Sequence, residues 1–218
     1  MRASIAIDGP AGAGKSTVAK GVAKRLGVPY LDTGAMYRAI AVYVKQNGAD
    51  FTDAEAVQRL AAKAEVEVCY QDGVQHVWLD GEDCTHLLRQ EEMGKGASLI
   101  SVHPSVRDRM ASLQREIGTR QCVVMDGREI GTNVLPDTPN KFFVTASAEC
   151  RALRRVRELE ARGESPVFRE VLEEIRQRDK RDSERAYMPL RRAEDAKLID
   201  TTELSVEEAI EAVIREVV

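Results

Sequence analysis

Short apolar runs alternate with stretches of helical periodicity along most of this chain. Ser4-Ile5-Ala6-Ile7 is the first run and predicts a short buried strand; residues 15–26 follow as a helix stopped by Gly27. Val28-Pro29-Tyr30-Leu31-Asp32 predicts a second strand, and Thr33–Gln46 a helix ending near Asn47-Gly48. Thr52-Asp53-Ala54-Glu55 reads as a capping box that opens a helix to about Ala64. Residues 104–117 are helical, and Cys122-Val123-Val124-Met125 is a strand apolar on both faces that ends in Asp126. Lys141–Thr145 is another strand, Ser147 caps a helix to about Arg162, and Gly163–Pro166 separates it from a helix over Val167–Arg181. Lys197–Asp200 is the last strand, and Ser205-Val206-Glu207-Glu208 is a capping box for a closing helix. Strand and helix in turn predict an α/β fold with a mainly parallel sheet flanked by helices.

One stretch departs from this rhythm. Glu65-Val66-Glu67-Val68-Cys69-Tyr70 alternates with period two, Asp72-Gly73 supplies a hairpin turn, and Val74–Leu79 returns before a second turn signal at Asp80-Gly81. A hairpin has no place in a simple βα repeat. It predicts a small inserted antiparallel subdomain over about 64–90 in a single domain, the core being 1–63 and 91–218.

Composition narrows the function classes. The 218 residues carry a formal charge of −4, which argues against a general nucleic-acid-binding surface. The charge is unevenly placed: residues 151–192 are net +4, leaving −8 for the rest. A local basic segment in an acidic chain suits a small anionic ligand, while its exposed faces suit i,i+4 ion pairs. The four cysteines stand far apart with no C-x-x-C pair, so neither a zinc site nor a disulfide framework is indicated. Asp8 interrupts the first apolar run, so no signal peptide is expected, and no stretch approaches the ~18 apolar residues that span a bilayer. A cytoplasmic protein is expected.

The chemistry enters at residues 9–17. Gly9, Pro10, Ala11, Gly12, Ala13, Gly14, Lys15, Ser16 and Thr17 match G-x-x-x-x-G-K-[ST], the phosphate-binding loop (P-loop) of NTPases, between a predicted strand and a predicted helix. Glycines let successive backbone N–H groups point into one concavity, and the helix dipole adds about half a positive charge there. Lys15 is expected to reach the β/γ-phosphates of ATP, and the Ser16 hydroxyl to ligate Mg²⁺. An apolar strand ending in Asp126 is a second signal, since such a strand carries a carboxylate to the Mg²⁺ edge of the sheet. The run goes on through Gly127-Arg128-Glu129-Ile130-Gly131-Thr132. Arg176, Arg178, Arg181 and Arg185 crowd one helical region, with Arg178, Arg181 and Arg185 expected on one face. Moving a phosphoryl group between two anions needs cations that close over it, and Arg binds phosphate through a planar fork that stays charged. Residues 151–192 are therefore expected to form a helical lid.

Four motifs together, Gly9–Thr17, Leu31–Arg38, Asp126–Thr132 and Arg178–Arg185, resemble the bacterial cytidylate kinases. The resemblance runs nearly end to end and includes the hairpin and Ile199-Asp200-Thr201-Thr202. It implies transfer of the ATP γ-phosphoryl group to CMP or dCMP in pyrimidine nucleotide metabolism, with Mg²⁺ and no nucleic-acid or membrane partner; a monomer is expected. By the same resemblance Thr33 and Arg38 contact the acceptor, and Ser98, Arg107 and Glu129 read the cytosine. Arg128 and Arg185 hold phosphate, Arg178 and Asp182 lie near phosphate and ribose, and Asp126 and Arg181 complete the substrate set. The family usually carries Asp at the position of Glu129 and commonly Ser at that of Thr33. A carboxylate accepts from the N4 amine of cytosine and repels the O4 of uracil. An adenylate- or shikimate-kinase-like enzyme is the nearest alternative, disfavoured by the hairpin and the Asp126–Thr132 run. A regulatory GTPase is less apt, because Asn140-Lys141-Phe142 is followed by Phe143 where guanine reading needs Asp.

Overall fold

The computed structural model describes residues 3–218. In chain order its elements are β1 (Ile5–Asp8), α1 (Lys15–Leu26), β2 (Tyr30–Asp32), α2 (Thr33–Gln46), α3 (Ala54–Lys63), β3 (Val66–Gln71), β4 (Val74–Leu79) and β5 (Glu82–Asp83). There follow α4 (Glu91–Ile100), α5 (Pro104–Arg120), β6 (Val124–Gly127), β7 (Asn140–Thr145), α6 (Ala148–Glu160), α7 (Phe168–Glu184), β8 (Lys197–Asp200) and α8 (Val206–Ile214). A 3₁₀ turn at Leu87–Arg89 precedes α4, and a π-helical turn at Ile130–Val134 follows β6. The chain divides into two compact units, one of residues up to Val28 with Cys122–Val218, the other Pro29–Gln121.

The first unit contains parallel strands in the order β6-β1-β7-β8. Ile5, Ala6 and Ile7 of β1 face Val124, Met125 and Asp126 on one side and Asn140, Lys141 and Phe142 on the other. A central parallel strand is covered on both faces, which is why its residues read as one apolar run. Ile5, Ile7, Met125 and Phe142 are fully buried, each contributing about 1.5–3 kcal/mol of transfer free energy. Helices α6 and α7 pack through Ala152, Val156, Leu159, Val171 and Ile175. Gly27 closes α1 in the left-handed conformation, Ser147 caps α6, and the capping box at Ser205 is formed with Glu208.

In the second unit the predicted hairpin pairs β3 with β4 antiparallel from Val66–Leu79 to Gln71–Val74, around Asp72-Gly73 at positive φ. Three details differ from expectation. The hairpin gains a third strand, β5, after the turn at Asp80-Gly81. The cap of α3 is Asp53, which accepts from Ala56 N, while Thr52 turns back to Asp50. Helix α4 is not predicted, because Gly94 and Gly96 weaken its helical pattern. Gly96 has a packing reason: a Cβ there would stand 2.7–3.0 Å from the Phe51 ring.

Candidate active site

Backbone geometry comes first. Between β1 and α1 the loop takes Gly9, Gly12 and Gly14 through positive φ, and a Cβ on Gly9 would fall 1.9 Å from the carbonyl oxygen of Val144. No other residue fits there. Helix α1 begins on Gly14 with no side-chain cap and no acid in its first turn, so its N–H groups and positive dipole end are left for an anion. Lys15 is buried and donates from Nζ to Pro10 O at 2.7 Å. Burial, then the nearby Arg128, pushes its ammonium down to about 7, against the pull of Asp126.

Ser16 Oγ donates to Asp126 Oδ2 at 2.8 Å. A hydroxyl and a buried carboxylate side by side are hard oxygen donors of the kind Mg²⁺ takes, and that ion usually uses one or two protein oxygens and fills its octahedron with phosphate and water. The expected pairing of strand-end carboxylate with P-loop hydroxyl is thus present in the first unit.

Arginines and acids alternate beyond Asp126. Arg128 Nε donates to Asp182 Oδ2 at 2.9 Å. Arg185 Nη2 lies 3.5 Å from Glu129 Oε2, its Nη1 3.5 Å from Asp182 Oδ1, and its Nε donates to Met188 O at 2.6 Å. Burial alone would raise the Asp182 carboxyl, but Arg128, Arg178 and Arg185 outweigh it and hold it below its ordinary value. Arg181 departs from expectation. It is exposed, while Arg178 is half-buried and the Arg185 side chain nearly buried. Helix α7 ends at Glu184, and Arg185 follows in an extended conformation that turns it away from the helical register shared with Arg181. Arg176 pairs with Glu149 on the surface.

Two further side chains hold this region and were not singled out from sequence. Asp8 is buried and accepts from Ile130 N at 2.8 Å and Gly131 N at 2.7 Å, which fixes the turn after Arg128 and Glu129. Burial pushes its carboxyl up to about 7 despite those two bonds. Arg151 donates to Ala11 O of the loop and to Ala146 O, and grips both carboxylate oxygens of Asp179 at 2.9 and 2.7 Å. The acid ending β1 was a usable signal for Asp8. Arg151 had none, as nothing separates one buried arginine from its exposed neighbours in a basic helix.

The other predicted residues lie in the second unit. Asp32 caps α2 by accepting from Ala35 N, and its other oxygen takes Arg38 Nη2 at 2.6 Å; Thr33 is buried beside it. Arg107, fully buried on α5, donates to Ser101 O at 3.0 Å and has its guanidinium carbon 5.6 Å from the Tyr37 ring centre. Ser98 is buried on α4, and among the described residues its hydroxyl has no hydrogen-bond partner. A buried hydroxyl in that state costs the fold stability.

Among the described residues no helix is long and apolar enough to cross a membrane. A solved structure of an uncharacterized protein from Eubacterium ventriosum shares the fold at a TM-score of 0.53 and 15% identity, covering 99% of this chain and 98% of that one. Cytidylate kinases are similar over nearly the whole length. That of Caldanaerobacter subterraneus is 49% identical over 98% of this chain and 93% of its own, and that of Bacillus subtilis 46% over 98% and 96%. The cytidylate kinase of Pseudomonas aeruginosa is 47% identical over 97% and 93%. The family model described as cytidylate kinase matches residues 5–218, and the chain belongs to the cytidylate kinase family.

Proposed function

We propose that this cytidylate kinase moves the γ-phosphoryl group of ATP to CMP or dCMP through the residues described above, giving ADP and the diphosphate. The observation that carries the assignment is geometric: Ser16 of the loop donates to Asp126 at 2.8 Å, and Arg128, two residues on, pairs with Asp182, which also meets Arg185, so loop and arginine cluster are built on one small region. The loop N–H groups receive the triphosphate, and Lys15 exchanges Pro10 O for phosphate oxygens. Ser16 and Asp126 would hold Mg²⁺, which supplies charge neutralisation on the β- and γ-phosphates. An oxygen of the CMP phosphate attacks the γ-phosphorus, the bond to the β–γ bridging oxygen breaks, and its electron pair leaves on ADP. Arg128, Arg178 and Arg185 neutralise the transferring group, and Asp182 holds Arg128 and Arg185 in place.

Arg38 and Thr33 take the acceptor phosphate side, and Ser98, Arg107 and Glu129 read the cytosine edge. The buried Ser98 hydroxyl supports this part of the reading. Arg181 is exposed and is assigned no substrate contact in this reading. The protein is read as a monomer working in the cytoplasm, a compartment that suits four free cysteines. An ADP-release assay with ATP–Mg²⁺ tests the proposal against CMP, dCMP, UMP, AMP, GMP and shikimate. Turnover confined to CMP and dCMP, with weak UMP, is expected; turnover of AMP or shikimate alone would replace it with the alternative kinase classes.

A further inference from the structure

The inserted antiparallel sheet carries no residue yet tied to the reaction, although it supplies three strands of the second unit. One of its side chains reaches out of the sheet to a backbone position that matters. Gln75, second in β4 and paired with Tyr70 in β3, accepts from Asp32 N through Oε1 at 2.7 Å and donates from Nε2 to Asp32 O at 3.2 Å. Both bonds go to the main chain of one residue. Backbone N–H and C=O have fixed roles, so they also fix which end of the amide is oxygen. A primary amide offers donor and acceptor side by side; asparagine has the same group one methylene short.

Asp32 is the residue on which the start of α2 hangs. Its Oδ1 caps the helix through Ala35 N at 3.0 Å and its Oδ2 holds Arg38 at 2.6 Å. The pair is closely confined, since a Cβ on Gly34 would stand 3.1 Å from Asp32 Oδ1 and 3.2 Å from Arg38 Nη1. A shift in the Asp32 backbone therefore displaces the carboxylate, the cap and the guanidinium together.

We propose that Gln75 is a positioning residue for the acceptor subsite: by pairing its amide with the Asp32 backbone, the inserted sheet sets where α2 presents Thr33 and Arg38. The inference rests on the reading of Arg38 as an acceptor contact. It gives the insertion a role in CMP recognition that needs no direct contact between sheet and nucleotide.

Steady-state kinetics of Gln75→Leu and Gln75→Glu test it. Leucine keeps the bulk and loses both bonds; glutamate keeps an acceptor for Asp32 N but turns a second oxygen toward Asp32 O. Both should raise KM for CMP about tenfold, the scale of losing a pair of ordinary hydrogen bonds, with KM for ATP little changed. Gln75→Asn should not rescue. Combined with Arg38→Ala, Gln75→Leu should add less than twofold, because a residue acting through Arg38 has nothing left to position. An unchanged KM for CMP in Gln75→Leu, equal rises for CMP and ATP, or fully multiplicative effects with Arg38→Ala would overturn the inference. Arg38→Ala alone separates the two layers. A raised KM there with a silent Gln75→Leu defeats the positioning role only, whereas a normal KM defeats the acceptor reading and this route with it.

Discussion

The phosphate-handling region of the first unit and the acceptor-side region of the second are built on opposite principles. Around Lys15 the structure crowds charges of both signs, and most have more than one partner: Asp182 meets Arg128 and Arg185, and Arg185 meets Asp182 and Glu129. Around Ser98 and Arg107 the groups are few and buried, and one hydroxyl is unsatisfied among the described residues. On the proposed reading the difference follows from the ligands. A transferring phosphoryl group is diffuse negative charge, stabilised by a preorganised field. A pyrimidine edge is a short pattern of donors and acceptors, told apart by a few matched hydrogen bonds.

The contrast breaks most visibly at Lys15. Lys15→Ala should lower kcat by about 10²–10³-fold or more while the protein stays folded, because the lost group acts on charge that develops during transfer. Circular dichroism with single-turnover kinetics checks both halves, and a folded variant with near-normal kcat would remove the loop from catalysis. Next come the arginines. Arg178→Ala and Arg185→Ala should each lower kcat by about 10²-fold, whereas Arg181→Ala, exposed, should stay within about threefold, as surface changes usually do. Equal losses at all three would show that burial in this structure does not mark the working arginines.

Legibility from sequence tracks the same contrast. Phosphate chemistry needs a backbone shape, and the glycines that permit it stand in one short run from Gly9 to Gly14. An acid closing an apolar strand is a weak signal alone, since β1, β2 and β8 also end in Asp, and only the neighbouring loop singled out Asp126 as a candidate. The shared face expected for Arg178, Arg181 and Arg185 fails because helical spacing was carried past the end of α7, where the chain straightens at Arg185. On the acceptor side, Ser98 lies on a helix that the pattern hides behind two glycines, and Arg107 looks like any surface arginine until α5 is seen to bury it. The proposed base readers are scattered single residues; only the resemblance to a family pointed to them.

Two smaller effects sharpen the comparison. Glu129→Gln should narrow the preference for CMP over UMP by about 1–3 kcal/mol, since an amide can face either base edge while a carboxylate only accepts. The kcat/KM ratio for the two acceptors reads this. If both activities fall together, the 3.5 Å approach of Glu129 to Arg185 is its role, and it belongs wholly to the phosphate region. The smallest effect is a pH dependence. With Lys15 held near 7 in the free protein, ATP raises it by favouring the ammonium, so binding takes up a proton above that pH. ATP affinity should fall with rising pH above about 7, and Lys15→Met should abolish that slope. Calorimetry in buffers of different ionisation enthalpy detects the proton, and its absence at pH 8 would show that Lys15 is already charged in the free protein.

The division of labour itself meets its most direct test at Ser98. Its hydroxyl is buried without a partner among the described residues, so Ser98→Ala removes a polar group that has no hydrogen bond to lose among them. Calorimetric titration of that variant with CMP and with ATP–Mg²⁺, beside its melting temperature, should show CMP binding weakened by about 1–2 kcal/mol. ATP binding should be unchanged and the melting temperature equal or higher. A lower melting temperature with normal CMP affinity would contradict the account, because the hydroxyl would then serve the fold and the acceptor would be read elsewhere.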